Sequence, residues 1–186
     1  MTADGFRRQW EPLDLEDFTT VAALLDSVPL EDRGTERDFL IFFNCRAEAG
    51  CSRVHKHMQA IPRQSLDGEP WRNLDSPSVP FAFHRVDSCG TDPKRLLRAY
   101  GEGMAAVERT LGEETELERG VPPHNVVLDR DRLVVIPRRA AGIEGLGANS
   151  GGMLGLIWTQ SEAMMQRWLD ANPHKLLEAA GVPELL

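Results

Sequence analysis

Ser52-Arg53-Val54-His55-Lys56-His57-Met58-Gln59-Ala60-Ile61-Pro62 is the stretch on which the reading of this chain turns. On a strand, alternate side chains share a face, so His55, His57 and Gln59 form one polar row while Met58 and Ala60 point the other way. Two imidazoles and an amide are costly to bury without partners, which places the row in a wet cleft. Upstream, Gly50-Cys51-Ser52 forms a short turn whose amides and hydroxyl suit an anion. Pro62 ends the strand.

Around this stretch the chain has the composition of a globular protein. Its 186 residues suffice for one domain with a real core, with 41% hydrophobic and 27% charged residues. A formal net charge of −8 argues against a nucleic-acid binder or an anionic-membrane ligand. A nucleotide remains compatible, because Arg53, Lys56, Arg63, Arg85, Arg138 and Arg139 lie near the candidate strands. The three cysteines form no Cys-x-x-Cys pair, and there is neither a signal peptide nor a membrane-length apolar run. A cytoplasmic location is expected.

Met1 to Pro12 reads as the end of an element. Asp14, with Asp17 three residues on, predicts the cap of an amphipathic helix over 15–26. Phe39-Leu40-Ile41-Phe42-Phe43 predicts a strand buried on both faces, antiparallel to the histidine strand. Ser65 to Ser78 reads as a polar loop with Trp71 and Leu74 exposed, and Val79 to Val86 as an edge strand. Asp92-Pro93 opens a long helix, with Gly101 and Gly103 as candidate close-packing points. Glu113 to Glu118 reads as a solvated acidic segment. His124 to Leu128 and Leu133 to Arg138 predict a hairpin, and Met153 to Trp158 a last strand. Helices follow Ser161 and Pro173. Interspersed elements with short strand connections favour an α+β fold with an antiparallel sheet. No dinucleotide fingerprint or Walker loop is present.

The histidine row admits three readings. His55 and His57 are ordinary hydrogen-bonded strand histidines in the first. In the second they share a metal ion, with His84, Cys45, Cys51 or Asp87 as the further ligand, although none has motif spacing. The third is nucleophilic catalysis: a neutral imidazole attacks phosphorus directly, provided a carbonyl or neighbour holds its other nitrogen. Donors on the Gly50 turn would then meet the developing charge.

The motif His55-Lys56-His57-Met58-Gln59, preceded by Asn44 and Gly50-Cys51-Ser52, resembles the His-x-His-x-Gln signature of the transferase branch of the histidine-triad superfamily. Within it, the chain resembles the diadenosine tetraphosphate phosphorylases, or ATP adenylyltransferases. His124 to Leu128, Leu133 to Arg138, Leu146-Gly147, Gly152-Met153, Leu176-Leu177 and Gly181-Val182-Pro183 follow that family's C-terminal pattern in order. The likeness covers roughly residues 12 to 186.

The resemblance implies a histidine-triad-like antiparallel sheet with flanking helices in a single domain over 1–186, its catalytic strand within 1–90 and the C-terminal family region over 91–186. It implies reversible phosphorolysis of diadenosine tetraphosphate to ATP and ADP through an adenylyl group on His57. It implies His55 and Gln59 as the other catalytic residues. Asn44, Gly50, Cys51, Ser52, Arg53, Gln59, Gly145, Leu146, Gly147 and Met153 would bind substrate. A divalent cation such as magnesium would accompany the nucleotide, with no metal site on the chain. The expected partners are diadenosine tetraphosphate, ATP, ADP and phosphate, not nucleic acid or membrane.

Three departures stand out. Cys45 to Ala49 and Cys51 replace a more glycine- and serine-rich loop. Ile157-Trp158 stand where the family has a lysine, and Trp158, like Trp10, Trp71 and Trp168, reads as a packing residue. Met1 to Gln9 resembles only the tail of the family's N-terminal portion, so the expected fold is N-terminally incomplete. Its open sheet edge invites a homodimer or a complementing chain. A nucleotide-binding or inactive remnant, and a metal-dependent enzyme using His55 and His57, stand as the alternative functions.

Overall fold

The computed structural model describes residues 5–33, 35, 37–63, 66, 71–72, 74–87, 89–112 and 120–183. Asp14 caps helix α1 (Leu15–Asp26) as expected: its carboxylate accepts the amides of Glu16 and Asp17, and the Asp17 carboxylate accepts the amide of Asp14. Such a reciprocal box satisfies donors that a helix start otherwise leaves open. Helix α1 buries Phe18, Val21, Ala22 and Leu25 on one face.

Five strands form an antiparallel sheet. They are β1 (Phe39–Cys45), β2 (Gln59–Pro62), β3 (His84–Asp87), β4 (His124–Leu128) and β5 (Arg132–Pro137), in the order β2-β1-β4-β5-β3. Alternation along the strands feeds two cores. Ile41, Phe43, Cys45, Val126, Leu128, Leu133 and Val135 meet α1 and α2 (Pro93–Leu111) on one face. Leu40, Phe42, Val127, Val134 and Ile136 meet the other side, covered by Trp71, Leu74 and Phe81 and by C-terminal helices. Burying each such side chain is worth about 1.5–3 kcal/mol. Gly103 explains how α2 sits so close: a Cβ there would lie 2.4 Å from Val135 Cγ2.

The β4–β5 hairpin follows its sequence signal, since the Asp129 carboxylate accepts the amides of Asp131 and Arg132 and fixes the turn. The same carboxylate accepts Trp71 Nε1 at 2.8 Å. That contact corrects the reading of Trp71 and Leu74 as exposed; they are 2% and 4% exposed. Of the segment Val79 to Val86, only His84 onward is strand. The acidic stretch 113–118 lies outside the described residues.

No strand forms over Met153 to Trp158. After the small ribbon β6 (Gly142–Ile143) and β7 (Leu146–Gly147), Asn149 caps Gly152 and starts one helical turn, α3 (Ser150–Met153). Gly155, at φ +84, then turns the chain away. Helices α4 (Glu162–Asp170) and α5 (Pro173–Ala180) begin at Ser161 and Asn172 caps. Among the described residues no helix is long and apolar enough to cross a membrane.

In the first core, His124 is fully buried, with Nδ1 bonded to the Pro122 carbonyl and Nε2 to the Tyr100 hydroxyl. Burial pushes its imidazole down to about 4. The unfolded chain binds this proton from about 6.5 downward and the folded chain only near 4, so folding loses stability as pH falls through that window. The loss expected is roughly 3 kcal/mol. Urea midpoints from pH 7 to 4.5 should fall accordingly, and a flat profile would contradict the neutral buried imidazole.

Candidate active site

The histidine row is built from behind. Lys56, between the two histidines, is 4% exposed and turns inward, bonding the Asp17 carboxylate and the Pro12 carbonyl. Met58 is buried beside it. These two anchors fix the alternation, so His55 and His57 stand half-buried on the opposite side with ring centroids 5.4 Å apart. Gln59 is exposed at the start of β2, opposite Phe42.

The expected strand over Ser52 to Pro62 is regular only from Gln59. His55 instead forms an isolated bridge with Arg8, in which Gln9 N donates to Val54 O and Lys56 N to Arg7 O. Residues 7–9 are thus paired into the site, where the sequence suggested a mere element end. His57 Nδ1 lies 3.1 Å from the His55 carbonyl oxygen. With Nδ1 as the donor, the Nε2 lone pair is the free one.

The Gly50 turn differs from the expected cradle. Its amides are used internally: Gly50 N donates to Ala47 O and Cys51 N to Arg46 O. Arg46 sits at φ 73, ψ 168, a region populated almost only by glycine. Ser52 and Arg53 are exposed, and among the described residues neither the Arg46 nor the Arg53 guanidinium has an ion-pair partner. Burial pushes the Cys51 thiol up, which suits a small filler better than a nucleophile.

Asn44, at the end of β1, is 5% exposed and spends its Oδ1 on Asn125 Nδ2 and Ser150 N, both at 2.8 Å. It therefore docks α3 against the sheet. Between the Gly50 turn and α3 opens a cavity of about 220 Å³, lined by Gly50, Gly147, Asn149, Gly152, Ile157 and Trp158 among others. Of the trio Gly145 to Gly147, Gly147 alone lines it; Leu146 is core, and Gly145 is exposed in the β6–β7 turn. Met153 is fully buried in the second core, beside a separate cavity with Phe81. Sequence reasoning missed Asn149, whose position before a Ser-Gly-Gly run is the signal of a helix cap. Trp158, read as a packing residue, is 56% exposed and faces this cavity, and Trp10 is 47% exposed.

The metal reading does not assemble. His84 and Asp87 lie on β3, at the opposite edge of the sheet from β2. Cys45 is buried in the helix-side core, its thiol pushed up to about 12 by burial. Among the described residues no three His, Cys, Asp or Glu side chains are grouped to hold an ion.

The antiparallel sheet with helices on its faces thus carries the His-x-His pair, and the cavity between the Gly50 turn and α3 is lined by neither histidine. The family model for the ATP adenylyltransferase C-terminal domain matches residues 77–183, and that for the Ap4A phosphorylase N-terminal domain matches residues 1–73. The chain belongs to the Ap4A phosphorylase, or ATP adenylyltransferase, family of enzymes. Its fold is similar to that of yeast Ap4A phosphorylase Apa2 solved with AMP, at 23% identity over 97% of this chain and 67% of that one, TM-score 0.74. A second structure of yeast Apa2 gives 21%, 97%, 68% and 0.77, and its complex with Ap4A 22%, 97%, 68% and 0.75. No curated protein matches the chain.

Proposed function

We propose that this chain performs reversible phosphorolysis of diadenosine tetraphosphate, with His57 as the nucleophile. One observation carries the reading: the contact between His57 Nδ1 and the His55 carbonyl, which leaves Nε2 free. Nε2 attacks the α-phosphorus; the N–P bond forms as the bridging P–O bond to the leaving ATP breaks. Phosphate then attacks the same phosphorus, releasing ADP and restoring the imidazole. The His55 carbonyl, accepting from Nδ1–H throughout, stabilises the positive charge that the ring acquires on phosphorylation. His55 contacts the leaving phosphates. Gln59, a neutral amide, binds a phosphate oxygen without delivering a proton, which suits transfer over hydrolysis.

Asn44 and residues 50–53 lie toward the phosphates, with Arg46 and Arg53 supplying charge. The cavity takes the nucleoside, with Gly147 close to it and Trp158 as a stacking wall; Gly145, Leu146 and Met153 support that wall from the ribbon and the core. Magnesium enters on the nucleotide phosphates. The three cysteines are all free thiols, which fits a reducing compartment such as the cytoplasm. A second copy of the chain, or a complementing chain, pairs at an open edge of the sheet, β2 or β3; a concentration-independent monomer in sedimentation would remove the second copy.

The chain is incubated with diadenosine tetraphosphate without phosphate, and its intact mass measured beside His57→Ala. The expected result is an acid-labile adenylyl adduct, absent from the variant. A folded chain that forms no adduct overturns the reading and leaves nucleotide binding without turnover.

A further inference from the structure

Gln9 stands where the next rung of the β1–β2 ladder would fall. The register pairs Phe42 with Gln59 and, two residues on, would bring Asn44 opposite His57. That rung is made by a side chain instead. Gln9 Nε2 donates to the Asn44 carbonyl at 2.9 Å and to the His57 carbonyl at 3.1 Å, and Gln9 Oε1 accepts the His57 amide at 2.7 Å. One amide thereby takes both main-chain groups of His57, as a neighbouring strand would, while holding the end of β1. Gln9 is itself 1% exposed, and its backbone is fixed by the bonds that pair residues 7–9 with 54–56.

We propose that Gln9 is a positioning residue for His57, a deduction that rests on His57 being the nucleophile. Because the His57 ring is oriented by the carbonyl of His55, two residues earlier, the angle of Nε2 depends on the main chain between them. That main chain is clamped on one side by Gln9. The clamp also fixes the distance between His57 and Asn44, which belongs to the phosphate side of the site. A polar side chain of 48 residues' sequence separation, buried and fully bonded, would otherwise be a costly substitute for ordinary strand pairing. It stands in place of a continuous ladder between β1 and the histidine row.

Gln9→Met keeps length and volume but removes all three bonds, and Gln9→Asn keeps an amide too short to span Asn44 and His57 together. In single turnovers with diadenosine tetraphosphate, each folded variant is expected to lose about ten- to a hundredfold in rate, with nucleotide affinity within about threefold. Nitrogen NMR of the imidazoles should show the fixed His57 tautomer of the wild type becoming a mixture. A folded variant with wild-type rate and tautomer, or one losing rate and affinity in equal measure, overturns the proposal. So does a His57 amide that exchanges freely with solvent in the unaltered chain, which needs no variant. If the wild type forms no adduct, the nucleophile assignment falls by itself, and the tautomer of His57 in Gln9→Met still decides the clamp.

Discussion

His57→Ala is expected to lower turnover of diadenosine tetraphosphate by about four to six orders of magnitude, the scale set by removal of other enzymic nucleophiles. Folding should barely notice. The His57 ring is half-buried, and its one hydrogen bond runs to the carbonyl of His55, so the stability change should stay within about 1 kcal/mol. His55→Ala makes an informative partner. It removes an imidazole but keeps the carbonyl that orients His57, so its loss should be smaller, about a hundred- to a thousandfold. Steady-state rates and urea midpoints for both variants check this. If His57→Ala retained a tenth of the wild-type rate, the covalent route would be untenable; if His55→Ala matched His57→Ala, the imidazole of His55 would have to do more than assist.

The local elements were legible because their causes are local. Asp14 and Asp17 announce α1 through a box with a spacing of three, Asp92-Pro93 announces α2, and the run Phe39 to Phe43 has the pattern of a strand buried on both faces. The polar row at His55, His57 and Gln59 was legible for the same reason, as a period of two. What the sequence hid is set by partners far along the chain. Trp71 looked exposed in a polar loop because its partner, the Asp129 carboxylate, lies 58 residues away. Met153 to Trp158 has the apolar content of a strand, but the Asn149 cap and the contact from Asn44 to Ser150, at a separation of 106, turn its start into helix. Gln9 belonged to no pattern at all. The candidate residues could therefore be chosen by type, and their geometry could not be read.

Arg138→Met is expected to destabilise the fold by roughly 3 kcal/mol. Arg138 is 1% exposed, has no carboxylate partner among the described residues, and burial pushes its guanidinium down to about 10, still charged at neutral pH. Its donors are all used: Nε to Ala180 O, Nη2 to Ala140 O and Ala148 O, and Nη1 to Asn125 Oδ1 with a longer contact to Ala49 O. Two effects oppose. Removing a lone buried charge relieves a cost on the order of 3 kcal/mol. Against it, the carbonyls of Ala140 and Ala148 and the Asn125 amide lose their donor, at about 1–3 kcal/mol each. Ala180 O and Ala49 O keep other donors, from Arg139 N and Asn125 Nδ2. The orphaned acceptors win. Ala148 and Asn125 also carry the rim of the cavity and the Asn44 contact, so nucleotide affinity should fall with stability, unlike the rate-selective loss at Gln9. Chemical denaturation and nucleotide titration of the folded variant test both halves. A midpoint within about 1 kcal/mol of wild type would mean that the desolvated charge costs more than its five bonds return.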